Sequence, residues 1–330
     1  AAPENTYLPG LFVQDEIKLA QKHSVLLGMR YDYNSNHGNI FTPRFAYKIN
    51  FDETSILRLN AGTGFRVVNI FTEDHAALTG AREVVIANEL KPEKTYNVNL
   101  NYLKKLYTNR GNTFTFDVSA FYTHFSNRIV ADYEANSNQI RYDNLMGYAV
   151  SKGLTGNLDV VLNFGLKLNA GITLQDVGLI ENNVKTQQIL TEKWMGTWSV
   201  SYLINKLNLG IDYTGNIYGP MRLPLLNEFD PREPYSPVWS LQNIQFTYRG
   251  FKNLEVYGGI KNLLNFKPTR NNPFIIARAN DPFDKQVQFD ANGNAMATPN
   301  NPYGLTFDPS YVYAPNQGIR GFFGLRYNLR

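Results

Sequence analysis

The feature that most constrains this chain is an alternation of apolar and polar side chains, with a period of two, that recurs thirteen times. In "HSVLLGMRYDYN", Val25, Leu27, Met29, Tyr31 and Tyr33 fall on one side of an extended strand, and Leu26, Gly28, Arg30, Asp32 and Asn34 on the other. "GLFVQDEIKL" sets Leu11, Val13, Ile17 and Leu19 against Phe12, Gln14, Glu16 and Lys18. "NIFTPRFAYKI" opposes Phe41, Phe45, Tyr47 and Ile49 to Thr42, Arg44 and Lys48, and "SILRLNAGTGF" opposes Leu57, Leu59 and Ala61 to Arg58 and Asn60. "TYNVNLNYLKKL" places Asn97, Asn99 and Asn101 on one face, and "NTFTFDVSAFYTHF" places Thr115, Asp117 and Ser119 there. A row of three Asn is costly in a dry core, so one face of these strands is wet. Further strands are predicted near 147–162, 164–177, 192–204, 206–218, 237–249, 253–264 and 317–329.

Alternation alone suits a soluble sandwich as well as a membrane barrel with a greasy outside and a polar lumen. The connections separate the two. Tight turns such as "NFDET", "INK" and "RGFKN" alternate with long segments at about 66–92, 126–144, 178–191, 218–236 and 265–316. Outer-membrane barrels have short turns on one rim and long loops on the other, whereas sandwich hairpins keep short loops. Aromatic residues, with 21 Tyr and 21 Phe, suit strands and girdles at the lipid boundary; Tyr31, Tyr33, Phe65, Tyr96, Tyr102, Tyr107, Tyr122, Tyr213, Tyr218 and Tyr248 lie largely toward strand ends. The expected fold is all-β, a transmembrane antiparallel barrel in the outer membrane, with residues 1–330 forming one domain. Thirteen is odd and single-chain bacterial barrels are even, so the expectation is the C-terminal part of a larger barrel.

Other classes are excluded by composition and motif. The formal charge is only +4 and no Lys/Arg run is interleaved with aromatics, which removes nucleic acid as a partner. There is no Cys, hence no disulfide framework, thiolate metal site or thiol nucleophile. GxSxG, P-loop and HExxH signatures are missing, so no enzyme is expected. His23, His37, His75 and His124 show neither HxH nor HxxxH spacing, and no metal site or cofactor is expected, although His75 or His37 leaves haem capture open. "DANGN" lacks the downstream Glu of a calcium loop and reads as a hairpin turn.

Specific residues resemble the TonB-dependent outer-membrane receptors. "GLFVQDEIKL" followed by "HSVLLGMRYDYN" is similar to the family's "Y-V-Q-D-E" strand and "L-x-G-x-R-Y-D" partner. "TPRFAYKINFDETSILRLNAGTGFRVVNIFTE" resembles its "SPR…T-LR-x-x-x-GTGFRAPN-x-x-E" stretch, and "ELKPEKTYNVNLNY" its "NLKPE" segment. "VYGGIKNLLN" and "GIRGFFGLRYNL" resemble the last two strands, and the wording "FDPSYVYAPNQGIRGFFGLRYNL" is most similar to receptors of the Bacteroidetes group. Val67 and Val68 depart from the usual Ala-Pro, and the terminal Leu329-Arg330 from the frequent Phe.

The resemblance implies the last thirteen of 22 strands, and energy-coupled import of a scarce ligand, a ferric siderophore first; haem, cobalamin, another metal complex or an oligosaccharide are alternatives, as is a passive or adhesive barrel. It implies as partners the TonB–ExbB–ExbD complex, acting through an N-terminal plug not present in this sequence, outer-membrane lipid, a metal-chelate or other small ligand, and a surface lipoprotein. Candidate ligand contacts on the extracellular loops are Arg66, Asn69, His75, Arg82, Glu89, Arg270, Arg278, Tyr311 and Tyr313. The competing reading is that Phe65, Arg66 and Asn69 order their loop and "LKPE" starts the next strand. Glu16, Lys18, Arg30, Asp32, Arg44, Lys48, Arg58 and Asp117 are expected to face the lumen and the plug.

Overall fold

The computed structural model describes residues 6–68, 70, 83–133, 139–224, 233–268, 275–276, 288–291, 295–299, 306–307 and 313–329. Thirteen strands form one wall: β1 (Gly10–Ala20), β2 (His23–Asn34), β3 (Gly38–Asp52), β4 (Ser55–Arg66), β5 (Glu93–Tyr107), β6 (Thr113–Asn127), β7 (Gly147–Val161), β8 (Leu166–Glu181), β9 (Trp194–Ile204), β10 (Leu209–Tyr218), β11 (Trp239–Phe251), β12 (Leu254–Lys261) and β13 (Arg320–Tyr327). Each pairs antiparallel with its chain neighbours, in the order β1 to β13. Among the described residues β1 and β13 pair on one side only, so this curved wall is open. No helix among these residues is long and apolar enough to cross a membrane.

Strict up-and-down pairing fixes the ends of the wall. The links 20–23, 52–55, 107–113, 161–166, 204–209 and 251–254 all lie at one end and are short. Asn208 and Asn253 turn there with positive φ, a conformation Asn tolerates because its short side chain can bond locally. The other end carries the long links after β4, β6, β8, β10 and β12, so the segments 66–92 and 265–316 leave the same rim. Only the β2–β3 link is short at that end.

Three of the long links are more ordered than the sequence suggested. Strands 83–86, 129–132 and 139–144 form a small sheet, with Glu83↔Gln139 in parallel pairing and Ile129↔Asn144 antiparallel. Ile70, Ile140 and Tyr142 make its apolar core, packed by Val68, Val84, Leu90 and Ile129. Burial of this cluster offsets the entropy of ordering two loops, which neither loop could offset alone. The 178–191 segment is not an open loop either: Val184–Gln187 folds back on the end of β8 around Asn182-Asn183, whose φ values of 49° and 64° are those of a tight hairpin turn. Around "DANGN", 288–289 pairs antiparallel with 295–296, as a hairpin requires.

Candidate functional site

Register shows which side chains share a face. The cross-strand row Lys18–Ser24–Lys48–Arg58–Asn101–Ser119 lies on one side of the wall. By the same pairing Glu16, Arg30, Asp32, Arg44 and Asp117 lie on that side too. All eight expected lumen residues therefore share one face. The opposite face carries Leu11, Val13, Leu27, Met29, Phe41, Phe45, Val98 and Leu100, all well exposed. Charged groups on the polar face are organised rather than scattered. Arg30 donates to both oxygens of Asp32 at 2.7–3.0 Å, and Asp32 is fully buried. Arg58 donates to Asn101 Oδ1 at 3.0 Å, and Asn101 Nδ2 donates to Asp117 and Ser119. Fork-shaped guanidinium bonding of this kind fixes side-chain orientation as well as charge.

At the long-link end of this face sit two clusters. The first joins Arg66, Glu93 and Arg128. Arg66 donates to Glu93 Oε2 at 2.8 Å; Glu93, 4% exposed, accepts the Ile129 backbone N–H at 3.0 Å through its other oxygen. Arg128 stacks 4.9 Å over the Phe125 ring, and its Nη1 is buried with no hydrogen-bond partner. Burial pushes its basicity down, partly countered by Glu93. Below, Asn127 donates to the carbonyls of Lys91 and Pro92 and Asn144 to that of Glu89, so the "ELKPE" bend is pinned through its backbone. Glu89 thus helps shape the loop through its carbonyl, and Arg66 bonds Glu93 at the foot of that loop.

The second cluster is aromatic. Trp239 opens β11 opposite Tyr218, with ring centroids 4.3 Å apart, and stacks on Phe266 at 5.5 Å; Tyr313 closes at 6.4 Å. Met221, Leu241 and Ala314 complete it. Tyr218 belongs to this cluster on the polar face, so it is not part of an outer aromatic girdle. Trp239 is 6% exposed and its Nε1–H has no partner. Burial pushes the Tyr313 hydroxyl up to about 12.

Of the nine expected ligand contacts, Arg66, Glu89 and Tyr313 are placed; Asn69, His75, Arg82, Arg270, Arg278 and Tyr311 lie outside the described residues. Arg66 and Glu89 lie together in the first cluster and Tyr313 in the second. Arg128, Trp239 and Phe266 were not singled out by sequence, and Tyr218 was singled out only as a girdle residue. Arg128 had one legible signal, an arginine directly after a strand of alternating residues.

The comparisons agree with this geometry. Residues 2–263 match the model of the TonB dependent receptor-like β-barrel family. An iron-regulated outer membrane virulence protein of Vibrio cholerae is 29% identical over 127 residues, 38% of this chain and 19% of that protein. Among solved structures, the siderophore receptor PirA of Acinetobacter baumannii superposes with a TM-score of 0.64 at 16% identity, over 98% of this chain and 46% of its own. A mutant of the ferric enterobactin receptor PfeA of Pseudomonas aeruginosa gives 0.63 at 17%, over 98% and 45%. This chain thus spans about a fifth of the curated relative and under half of each solved receptor. None of these relatives bears on the Bacteroidetes-like wording of the C-terminal stretch. With one apolar and one polar face along its antiparallel wall, the chain belongs to the TonB-dependent receptor family, as part of an outer-membrane β-barrel.

Proposed function

We propose that this chain is the C-terminal portion, residues 1–330, of a barrel that imports a ferric siderophore across the outer membrane, driven by the TonB–ExbB–ExbD complex through an N-terminal plug. The observation that carries the reading is the continuous polar face, with its Arg30–Asp32 pair and Arg58–Asn101–Asp117 network. Such charge is costly against hydrocarbon and useful against a hydrated, removable plug. Glu16, Lys18, Arg44 and Lys48 extend the same plug-facing surface.

Capture takes place at the long-link rim. Arg66 and Arg128 supply positive charge for an anionic chelate, and the unpartnered Trp239 Nε1–H offers a donor beside a stacking surface of Tyr218, Phe266 and Tyr313. Asn69, His75, Arg82, Arg270, Arg278 and Tyr311 are proposed to add contacts from the same rim. A surface lipoprotein is a further proposed partner there.

The test is uptake of radioactive iron, presented as a panel of ferric siderophores, by a strain lacking the gene and by the same strain complemented. The expected result is uptake of at least one chelate that needs both the gene and TonB. Uptake that persists without TonB would make the protein a passive pore, and no uptake of any iron chelate would move the cargo to another class.

A further inference from the structure

On the polar face one cross-strand row reads Gln14–Gly28–Arg44–Gly62–Asn97, a long donor side chain on every second strand with glycine between. The glycines open the wall on both sides of Arg44. A Cβ on Gly28 would come within 2.7 Å of Arg44 Cγ, so the arginine stem lies across that glycine. At Gly62 the nearest atoms are the Pro43 carbonyl oxygen and Arg44 Cα and Cβ, so no distant side chain roofs that notch. The row thereby forms a hollow of about 500 Å³, lined also by Arg30 and Asn60.

Two guanidinium groups line this hollow, and among the described residues no carboxylate does. Asp32 is fully buried and committed to Arg30, which bonds it through Nε and Nη2 and leaves Nη1 out of the pair. Arg44 has neither an ion pair nor a hydrogen bond among the described residues, and the side-chain amides of Gln14, Asn60 and Asn97 are equally without partners there. Glu16 is the next acid along β1 on this face, opposite Leu26 and outside the lining. Two positive charges against one negative leave one charge uncompensated, and it sits on Arg44.

We propose that this hollow binds a carboxylate group, gripped by the Arg44 fork, with the amides of Gln14, Asn60 and Asn97 as further donors. A planar guanidinium meets a carboxylate through two parallel bonds, which a glycine-floored notch leaves room to form. The charges also match. A carboxylate carries the single negative charge that Arg44 lacks, whereas a phosphate monoester brings about −1.5 to −2 near neutral pH. Such a group has two sources, a free anion that has passed the mouth or an acidic side chain of the proposed plug. Arg66 lies on the same face of β4 as Gly62, four residues and about 13 Å further toward the long-link rim, so the hollow is the next cationic station below the mouth. The inference rests on the reading of the polar face as a plug-filled lumen and names what that face holds at one point.

Two measurements on the intact, detergent-purified protein test it and separate the sources. The first is calorimetric titration with citrate, its neutral triamide and inorganic phosphate. A free-anion source predicts that citrate binds, that the triamide does not, and that Arg44→Gln weakens citrate about tenfold, the low end for a hydrogen bond to a charged group. The second is treatment of Arg44→Lys with a water-soluble carbodiimide, which joins an amine to a carboxylate in contact with it. A plug source predicts no citrate binding and a cross-link, found by peptide mapping, to an acidic residue upstream of residues 1–330. Heat-modified gel mobility checks that each variant is folded. With no upstream cross-link, citrate binding that is absent or unchanged by Arg44→Gln would overturn the proposal. So would phosphate binding as tight as that of citrate, or a cross-link to Glu16, Asp32 or another acid of residues 1–330, which would give Arg44 a partner within the wall. An Arg44-dependent carboxylate in a protein that fails the iron uptake experiment would leave this site standing without that cargo; iron uptake with no such carboxylate would do the reverse.

Discussion

Above β4 to β7 the rim is held by charge as well as by the apolar core of its small sheet, whereas above β10 to β12 it is held by rings. In the first region one buried carboxylate, Glu93, collects Arg66 and the Ile129 N–H and lies beside Arg128. In the second, Tyr218, Trp239, Phe266 and Tyr313 stack without an ion pair among them. A clamp of charges is directional and fails when its buried carboxylate is removed, because the buried Arg128 then loses its nearby counter-charge. A stack loses area in proportion to what is cut away. Both lie at one end of one face, so in the proposed capture a ligand would meet both.

The largest expected effect separates the two regions. Trp239→Ala should loosen the 262–268 and 313–319 backbone by about 3 kcal/mol, the lower part of the range for buried Trp truncation, read as faster amide exchange there. Exchange in 129–132 and 139–144 should be unchanged. Glu93→Ala should do the reverse, at about 2 kcal/mol, less than for a fully enclosed pair because Arg66 is 57% exposed. If either substitution loosens both regions, the rim is one unit and the comparison fails.

Alkali should sharpen the contrast. Tyr313 is raised to about 12 from an ordinary value of 10.0 by burial, so the folded cluster keeps a proton that the opened one loses. Its contribution is complete below pH 10 and is lost as pH rises from 10 toward 12. Exchange at 313–319 should accelerate across that window, and Tyr313→Phe should flatten the response. The smallest effect belongs to Arg66→Lys, which keeps the charge and loses the fork; a change of under about 1 kcal/mol in protection of 129–132 is expected.

Much of this wall is legible in the sequence. The thirteen alternating runs became the thirteen wall strands within a few residues at each end, and the eight charged lumen candidates share one face because period two leaves no other arrangement. Less was readable where pairing is distant or short. The parallel pair Glu83↔Gln139 joins four-residue runs from different loops, too brief to show a period. The hairpin at Asn182-Asn183 did carry a signal, two residues that tolerate positive φ between alternating runs.

The most direct test of the face assignment uses the absence of cysteine from residues 1–330. Asn99→Cys and Leu100→Cys place single thiols at adjacent residues of β5, pointing to opposite sides of the wall. Spin labels on each, in the intact protein in its bilayer, are compared for relaxation by oxygen, which partitions into lipid, and by a water-soluble nickel chelate. The expected result is that the label at 100 responds to oxygen and the label at 99 to nickel. The opposite pattern would turn the wall inside out and remove the basis for the plug-lined lumen.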